Sequence, residues 1–272
     1  MEYPLLSLDL AREIELAEAQ AAVDCAQGIQ TQKGNGTAAV TKVAGGYAVY
    51  CGANSPLTQA VALGLNGVVT NEEFDRLEEF YFSRQEPVRV ETCPLADGTL
   101  IEHYRDRGYA ASEFSNVMVR PVGKQERAEL PPGVEIQKAS ASELDLWVLT
   151  VAQGFAEHFP VTQELLDVMR LFASGKNTEC YLARIGGRVV GGAILAVRGR
   201  IAGLFGASTL PAFRRRGVQT ALLEIRMRRA AEQGCGLAMS LAQPGSASQR
   251  NITRQGFRTL YTRVKFEKAC KV

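Results

Sequence analysis

The stretch Ser208–Gln233, STLPAFRRRGVQTALLEIRMRRAAEQ, narrows the choice of fold more than any other part of the chain. It predicts the end of a strand, a tight basic turn and then a long helix. Pro211 lacks the N–H a central ladder needs, so Leu210-Pro211-Ala212-Phe213 closes the strand. Arg214, Arg215, Arg216 and Gly217 form the turn. Val218, Ala221, Leu222 and Ile225 then recur at helical spacing, and Leu223, Met227 and Ala230 widen the apolar face. Glu224, Arg228, Arg229 and Glu232 fall mainly outside that stripe. Gly234-Cys235-Gly236 stops the helix, because glycine enters a left-handed cap at least cost.

Such a turn has a chemical use. The first N–H groups of a helix have no partner within it and carry partial positive charge, which makes the start of a helix an anion site. Gly217 lets a ligand come close to the backbone, and three arginines add fixed charge. A phosphate or pyrophosphate suits the place. A solvated basic turn opening a surface helix would read the same way.

The turn resembles the signature of the GNAT superfamily of acyl-CoA-dependent N-acyltransferases, Q/R-x-x-G-x-G/A after a strand that ends near a proline. Arg214 matches its first position and Gly217 its second, while Gln219 stands where the family usually has Gly or Ala. The resemblance implies that the strand before the turn, Phe205, Gly206, Ala207, Ser208 and Thr209, splays from its neighbour Met239–Ala242 and pairs with pantetheine. It also implies that Arg214, Arg215, Arg216, Gly217, Val218, Gln219 and Thr220 hold the pyrophosphate of acetyl-CoA, with Asn251 as a further hydrogen-bond partner.

At 272 residues the chain has room for one large domain or two ordinary ones. Its 46% hydrophobic and 22% charged content is that of a soluble globular protein, and a net charge of +2 argues against nucleic acid as partner. The six cysteines form no C-x-x-C pair, and neither His103 nor His158 lies near one, so no metal site is expected. Asp9, Arg12 and Glu13 break any early apolar run, and no stretch approaches the ~18 apolar residues of a membrane span. A cytoplasmic protein that binds neither membrane nor nucleic acid is expected.

Along the chain, helices are predicted over Leu8–Ala26 and from Thr70 to about Arg84, the second opened by the capping-box pattern Thr70-Asn71-Glu72-Glu73. Strands are predicted at Tyr47–Tyr50, Thr58–Leu65 and Val88–Thr92. A short helix over Gly98–Arg107 turns at Gly108-Tyr109 into a strand near Phe114–Arg120. Residues 121–133, rich in Pro and Gly around a charged run, read as a linker. Beyond it come a strand at Val134–Ala139 and helices over Ser142–Phe155 and Thr162–Ala173. A hairpin follows, Glu179–Ile185 and Arg188–Val197 joined by Gly186-Gly187, with Glu179 read as exposed. After the strand Ile201–Thr209 and the long helix come a strand at Gly236–Leu241, a short helix over Ser246–Gln255 and a closing strand over Arg258–Glu267.

The two halves repeat. Gly108-Tyr109 and Gly256-Phe257 stand 148 residues apart, as do the helix starts Thr70 and Val218. The fold expected is α+β (mixed α/β): two GNAT-like halves, each a central, mostly antiparallel sheet flanked by helices, with the splayed strand pair in the second. Residues 1–120 form a degenerate copy and residues 134–272 the domain that binds acetyl-CoA. In the first copy Thr70, Glu72, Glu73 and Asp75 occupy the helix start and oppose an anion there.

Acyl transfer needs a base, because an amine of pKa ~10.4 is mostly protonated at neutral pH. Glu157 and His158, at the break between two early helices where GNAT proteins often line the acceptor pocket, are the candidates; they read equally as a charged pair in a solvated loop. Many GNAT proteins carry a tyrosine four residues before the Gly-Phe turn, and here that position is Ile252. Ser248, Asn251 and Tyr261 are the polar alternatives. Each has a plainer reading: Ser248 as a helix-start residue, Asn251 as a surface residue, Tyr261 as core or surface. The function expected is transfer of acetyl from acetyl-CoA to a primary amine, small or on a protein, by a monomer or homodimer. A CoA-binding sensor without catalysis and a scaffold without cofactor stay open beside it.

Overall fold

The computed structural model describes residues 2–34, 36–53, 55–123, 130–156, 160–173 and 175–270. By contacts the chain divides into two compact units, one of Met1–Tyr3 with Val119–Ser240, the other of Pro4–Met118 with Leu241–Val272.

The chain starts in the second of these with α1 (Leu8–Lys33), capped by the Ser7 side chain. The helix runs past Ala26, where the sequence reading ends it, and stops at Gly34. A hairpin of β1 (Ala39–Val43) and β2 (Gly46–Tyr50) follows. Its first strand escaped the sequence reading, since its only fully buried residue is Val43. The strand expected over Thr58–Leu65 shrinks to β3 (Gln59–Val61). Next come α2 (Asn71–Phe82), β4 (Val88–Thr92), α3 (Gly98–Arg107) and β5 (Ala110–Pro121), which carries the chain into the other unit.

That unit contains β6 (Val134–Lys138), α4 (Leu144–Phe155), α5 (Gln163–Ala173), β7 (Thr178–Ile185), β8 (Arg188–Arg198), β9 (Ile201–Thr209), α6 (Val218–Glu232) and most of β10 (Leu237–Ala242). Its strands lie in the order β10-β9-β8-β7-β6, antiparallel except between β10 and β9. Trp147, Val148 and Val151 of α4 pack on Leu182, Ile194 and Ala196 of the sheet, with Leu166, Met169 and Phe172 of α5 closing the layer. Both residues of the predicted Gly186-Gly187 turn have positive φ, as a two-residue hairpin of this kind requires.

The last segments, α7 (Ala247–Arg254) and β11 (Arg258–Lys268), return to the unit of Pro4–Met118. There β11 pairs antiparallel with β4 and takes its place in the order β1-β2-β3-β4-β11-β5. This differs from the boundary read in the sequence, which kept residues 241–272 with the second half. The reason is a buried ion cluster. Arg263, 1% exposed, donates from Nε to Glu15 of α1 at 2.8 Å and pairs through Nη1 with Glu18 at 2.6 Å. A buried guanidinium without a carboxylate would be costly, so β11 is fixed to α1. Phe74, Leu77 and Tyr81 of α2 and Leu100 and Tyr104 of α3 complete the core of that unit, with Tyr104 stacked on Phe266 of β11 at 4.3 Å.

Candidate cofactor site

Apart from Asn251, the residues expected to hold the cofactor gather at one end of β9, within the unit of Val119–Ser240. The parallel register between β9 and β10 runs Leu237↔Ile201, Ala238↔Ala202 and Met239↔Gly203. It ends there, and the next contact is a side chain, the Ser240 hydroxyl donating to the Leu204 carbonyl at 3.0 Å. On its other edge, β9 breaks register with β8 between Gly192↔Ser208 and Ile194↔Phe205. Gly206 and Ala207 stand at this bulge, and Gly206 has φ +55°, a conformation glycine adopts without strain.

Past the bulge, the strand end is fastened to α4. The Ser208 hydroxyl donates to the Val151 carbonyl at 3.0 Å, and Arg214 Nη2 donates to the Gly154 carbonyl at 3.1 Å. Arg214 Nε also reaches the Thr209 carbonyl at 3.4 Å. Arg214 therefore holds the turn to the strand and to α4. Arg216 lies over the Phe213 ring at 5.3 Å, and Arg215 takes φ +63° with its side chain exposed.

The helix start itself is open in chemistry. Gly217 is the N-cap of α6, with φ +77°, and caps it with no side-chain hydrogen bond. The position needs glycine twice over: the backbone is left-handed, and a Cβ would meet Pro131 Cγ at 2.5 Å. Val218 is buried beneath the first turn. Gln219, where the motif usually has a small residue, turns its side chain away to donate to Thr209 Oγ1 at 3.0 Å. Its amide therefore braces the strand end. Thr220, half-buried, is the third residue of the helix.

The remaining candidates divide. Glu157 and His158 lie outside the described residues. Ser248 and Asn251 are exposed on α7, where Asn251 accepts from Arg254 at 3.2 Å. Both belong to the other unit. Tyr261 is buried in that same unit, its hydroxyl donates to Glu15 at 2.7 Å, and burial together with the Glu15 charge pushes its pKa far up. It is part of the ion cluster that fixes β11.

Glu179 is a correction. It is 9% exposed and accepts from Lys138 at 3.0 Å, from Tyr181 at 2.6 Å and from Arg229 of α6 at 3.0 Å. Burial alone would raise its pKa, but the bonds from Arg229, Tyr181 and Lys138 outweigh it and bring the pKa to about 2. A third side chain went unread. Arg226 lies on the apolar stripe of α6, four residues after Leu222, and is 3% exposed. A cation at a core position of that stripe was the signal available.

A family model for the acetyltransferase (GNAT) domain matches residues 126–240. Its end coincides with the end of the unit that carries the turn. Residues 126–240 are thus similar to the GNAT acetyltransferase domain. Among solved structures it is similar to a GCN5-related N-acetyltransferase from Kribbella flavida, with TM-score 0.65 and 17% identity over 92% of this chain and 95% of that one. It is also similar to a tandem GNAT protein from the clavulanic acid biosynthesis pathway, with TM-score 0.60 and 10% identity over 100% and 99% of the two chains. At these identities the likeness shows the fold, a GNAT fold in tandem. No curated protein matches the sequence. Among the described residues, no helix is long and apolar enough to cross a membrane, and no group of His, Cys, Asp and Glu side chains is arranged to hold a metal ion.

Proposed function

We propose that this protein transfers acetyl from acetyl-CoA to a primary amine, and that the cofactor binds the unit of Val119–Ser240. The observation that carries the reading is the sequence of three features along one strand: β9 leaves its parallel partner after Gly203, bulges at Gly206, and runs into a helix whose first N–H groups have no side-chain cap. The strand edge from Phe205 onward suits the amide groups of pantetheine, and the turn suits pyrophosphate. Arg215, Arg216 and the first N–H groups of α6 would face the phosphates, with Arg214 and Gln219 bracing the turn behind them.

The reaction follows from acyl chemistry. The amine loses a proton to a base, its nitrogen attacks the thioester carbon, and the carbonyl oxygen takes on negative charge. The C–S bond then breaks, leaving the amide and CoA thiolate, which takes up a proton. Glu157 and His158, just past the C-terminal end of α4, are the groups proposed for the base. With Tyr261 tied to Glu15, no tyrosine is proposed as acid.

The test is a calorimetric titration of acetyl-CoA into the full chain, followed by a panel of small amines, amino acids and basic peptides with release of free CoA as the readout. One site per chain and turnover with an amine are expected. Saturable binding without turnover across the panel would make the protein a CoA-responsive binding module, and no binding would leave a scaffold.

A further inference from the structure

Arg226 is the one cation on the buried stripe of α6, and a hydrophobic residue would complete that stripe without burying a charge. Its hydrogen bonds run to backbone carbonyls. Nε donates to Leu222, one turn back on its own helix, at 2.9 Å. Nη1 donates to Ile194 of β8 at 2.9 Å and reaches Phe205 of β9 at 3.4 Å. Ile194 and Phe205 are register partners, and they are the pair at which the register between β8 and β9 breaks. The guanidinium is thus seated at the bulge. Burial lowers its pKa to about 10, which leaves it charged at neutral pH.

The Phe205 carbonyl shares a peptide unit with the Gly206 N–H. The unit is trans, since the described chain contains no cis peptide, so the two groups point in opposite directions. A carbonyl drawn toward Arg226 leaves the N–H directed away from it. A positive charge on the carbonyl side also polarises the unit and makes the N–H a stronger donor, an effect of ~10–30% per bond in chains of hydrogen bonds. We propose that Arg226 is a positioning residue for acyl transfer: it fixes the Phe205–Gly206 peptide at the bulge and strengthens the Gly206 N–H as donor to the thioester oxygen. The inference rests on the acetyl-CoA reading above. It assigns the buried charge a task that packing does not need.

The probe is acetyl-CoA carrying carbon-13 at the thioester carbonyl, bound to the full-length protein and compared with Arg226→Gln and Arg226→Lys. Gln keeps donors without charge, and Lys keeps the charge. In the parent, the bound carbonyl carbon moves downfield from its free position. Arg226→Lys retains most of that shift, whereas Arg226→Gln returns toward the free value with acetyl-CoA affinity little changed. With an amine acceptor, Arg226→Gln lowers kcat about tenfold at unchanged KM, less than the ~10²–10³-fold cost of deleting an oxyanion donor. A folded Arg226→Gln protein with the parent's carbonyl shift overturns the proposal and leaves the acetyl-CoA reading standing. A parent that binds no acetyl-CoA overturns both. Should neither variant fold, the parent alone decides: the Gly206 amide proton must move downfield on adding acetyl-CoA, and an unmoved amide overturns the proposal.

Discussion

The helices α2 and α6 are matched by the repeat read in the sequence, yet their first turns are built in opposite ways. At α2 the N-cap Thr70 accepts from the Glu73 N–H at 3.2 Å, and Glu73 accepts in return from the Thr70 N–H at 3.1 Å. Glu72 and Asp75 add negative charge to the same turn. At α6 the N-cap is Gly217, with no side-chain bond, and three arginines precede it. One helix start is closed by a capping box and carries acidic side chains, and the other has a glycine cap and follows three arginines. The matched position is a structural element in one half and a candidate binding site in the other. The difference lies in about four side chains on either side of the helix start.

Charge reversal before α6 should have the largest effect. Gly217 is a poor place to intervene, because any side chain meets Pro131 and its φ is left-handed. Arg215 and Arg216 are exposed, so Arg215→Glu/Arg216→Glu should leave the core intact. Acetyl-CoA affinity by calorimetry should fall about 100-fold or more, as expected for the loss of two charge-assisted contacts worth ~1.5–3 kcal/mol each, with little change in Tm. Unchanged affinity would remove this turn from the cofactor site.

The comparison extends to what anchors each helix. On α6 the helix supplies the cation, Arg229, and a strand supplies the carboxylate, Glu179. On α2 the helix supplies carboxylates, Asp75 and Glu78, and the cation is Arg107 of α3. The Glu179 anchor is sensitive to acid in a known sense. Its pKa falls from an ordinary 4.5 to about 2 in the fold, so its stabilisation is full above about 4.5 and is lost as pH falls toward 2. A shift of that size corresponds to ~3–4 kcal/mol, reduced to ~2–3 kcal/mol because Lys138 and Arg229 are partly exposed and solvent screens them. Glu179→Gln should therefore lower Tm at pH 7, and the gap between variant and parent should narrow steadily below pH 4.5. A gap that stays constant from pH 7 to pH 3 would mean the charge on Glu179 contributes nothing.

Much of this contrast is legible in the sequence, and the reasons are local. Thr70-Asn71-Glu72-Glu73 and Arg214–Gly217 are short-range signals, and both form the predicted caps. The strand Ile201–Thr209 and the Gly186-Gly187 hairpin are likewise set by neighbouring residues. What the sequence hid is long-range. Nothing near Arg263 announces Glu15, 248 positions away, as its partner, so the sequence alone does not tie β11 and Tyr261 to α1. Glu179 reads as an exposed residue until Lys138 and Arg229 are brought to it from 41 and 50 positions away. Arg226 was passed over because a charge on an apolar stripe is set aside as surface when only the pattern is in view.

A smaller effect comes from making α6 resemble α2. Thr220 is the third residue of α6, as Glu73 is the third of α2. Thr220→Glu places a carboxylate where Glu73 stands in the other half. Acetyl-CoA affinity should fall about tenfold, while the apo protein gains ~0.3–1 kcal/mol from the carboxylate at a helix N-terminus. Binding and stability thus move in opposite directions, which a general loss of structure would not produce. An affinity unchanged in a more stable protein would mean the pyrophosphate lies beyond the first turn.

The converse exchange separates donors from charge. Thr70→Gly/Glu73→Thr gives α2 the cap residues of α6 and frees the two N–H groups that the capping box satisfies. Stability should drop by about 1 kcal/mol, the usual worth of such a cap, seen as a lower midpoint in urea at unchanged slope. Acetyl-CoA should still titrate to one site per chain, because Glu72 and Asp75 remain and no arginine precedes Thr70. Free N–H groups draw an anion only where the net field at the helix start is positive. A second site appearing in this variant would show that capping alone silences the first half. The arginines before α6 would then add to affinity without deciding which half binds.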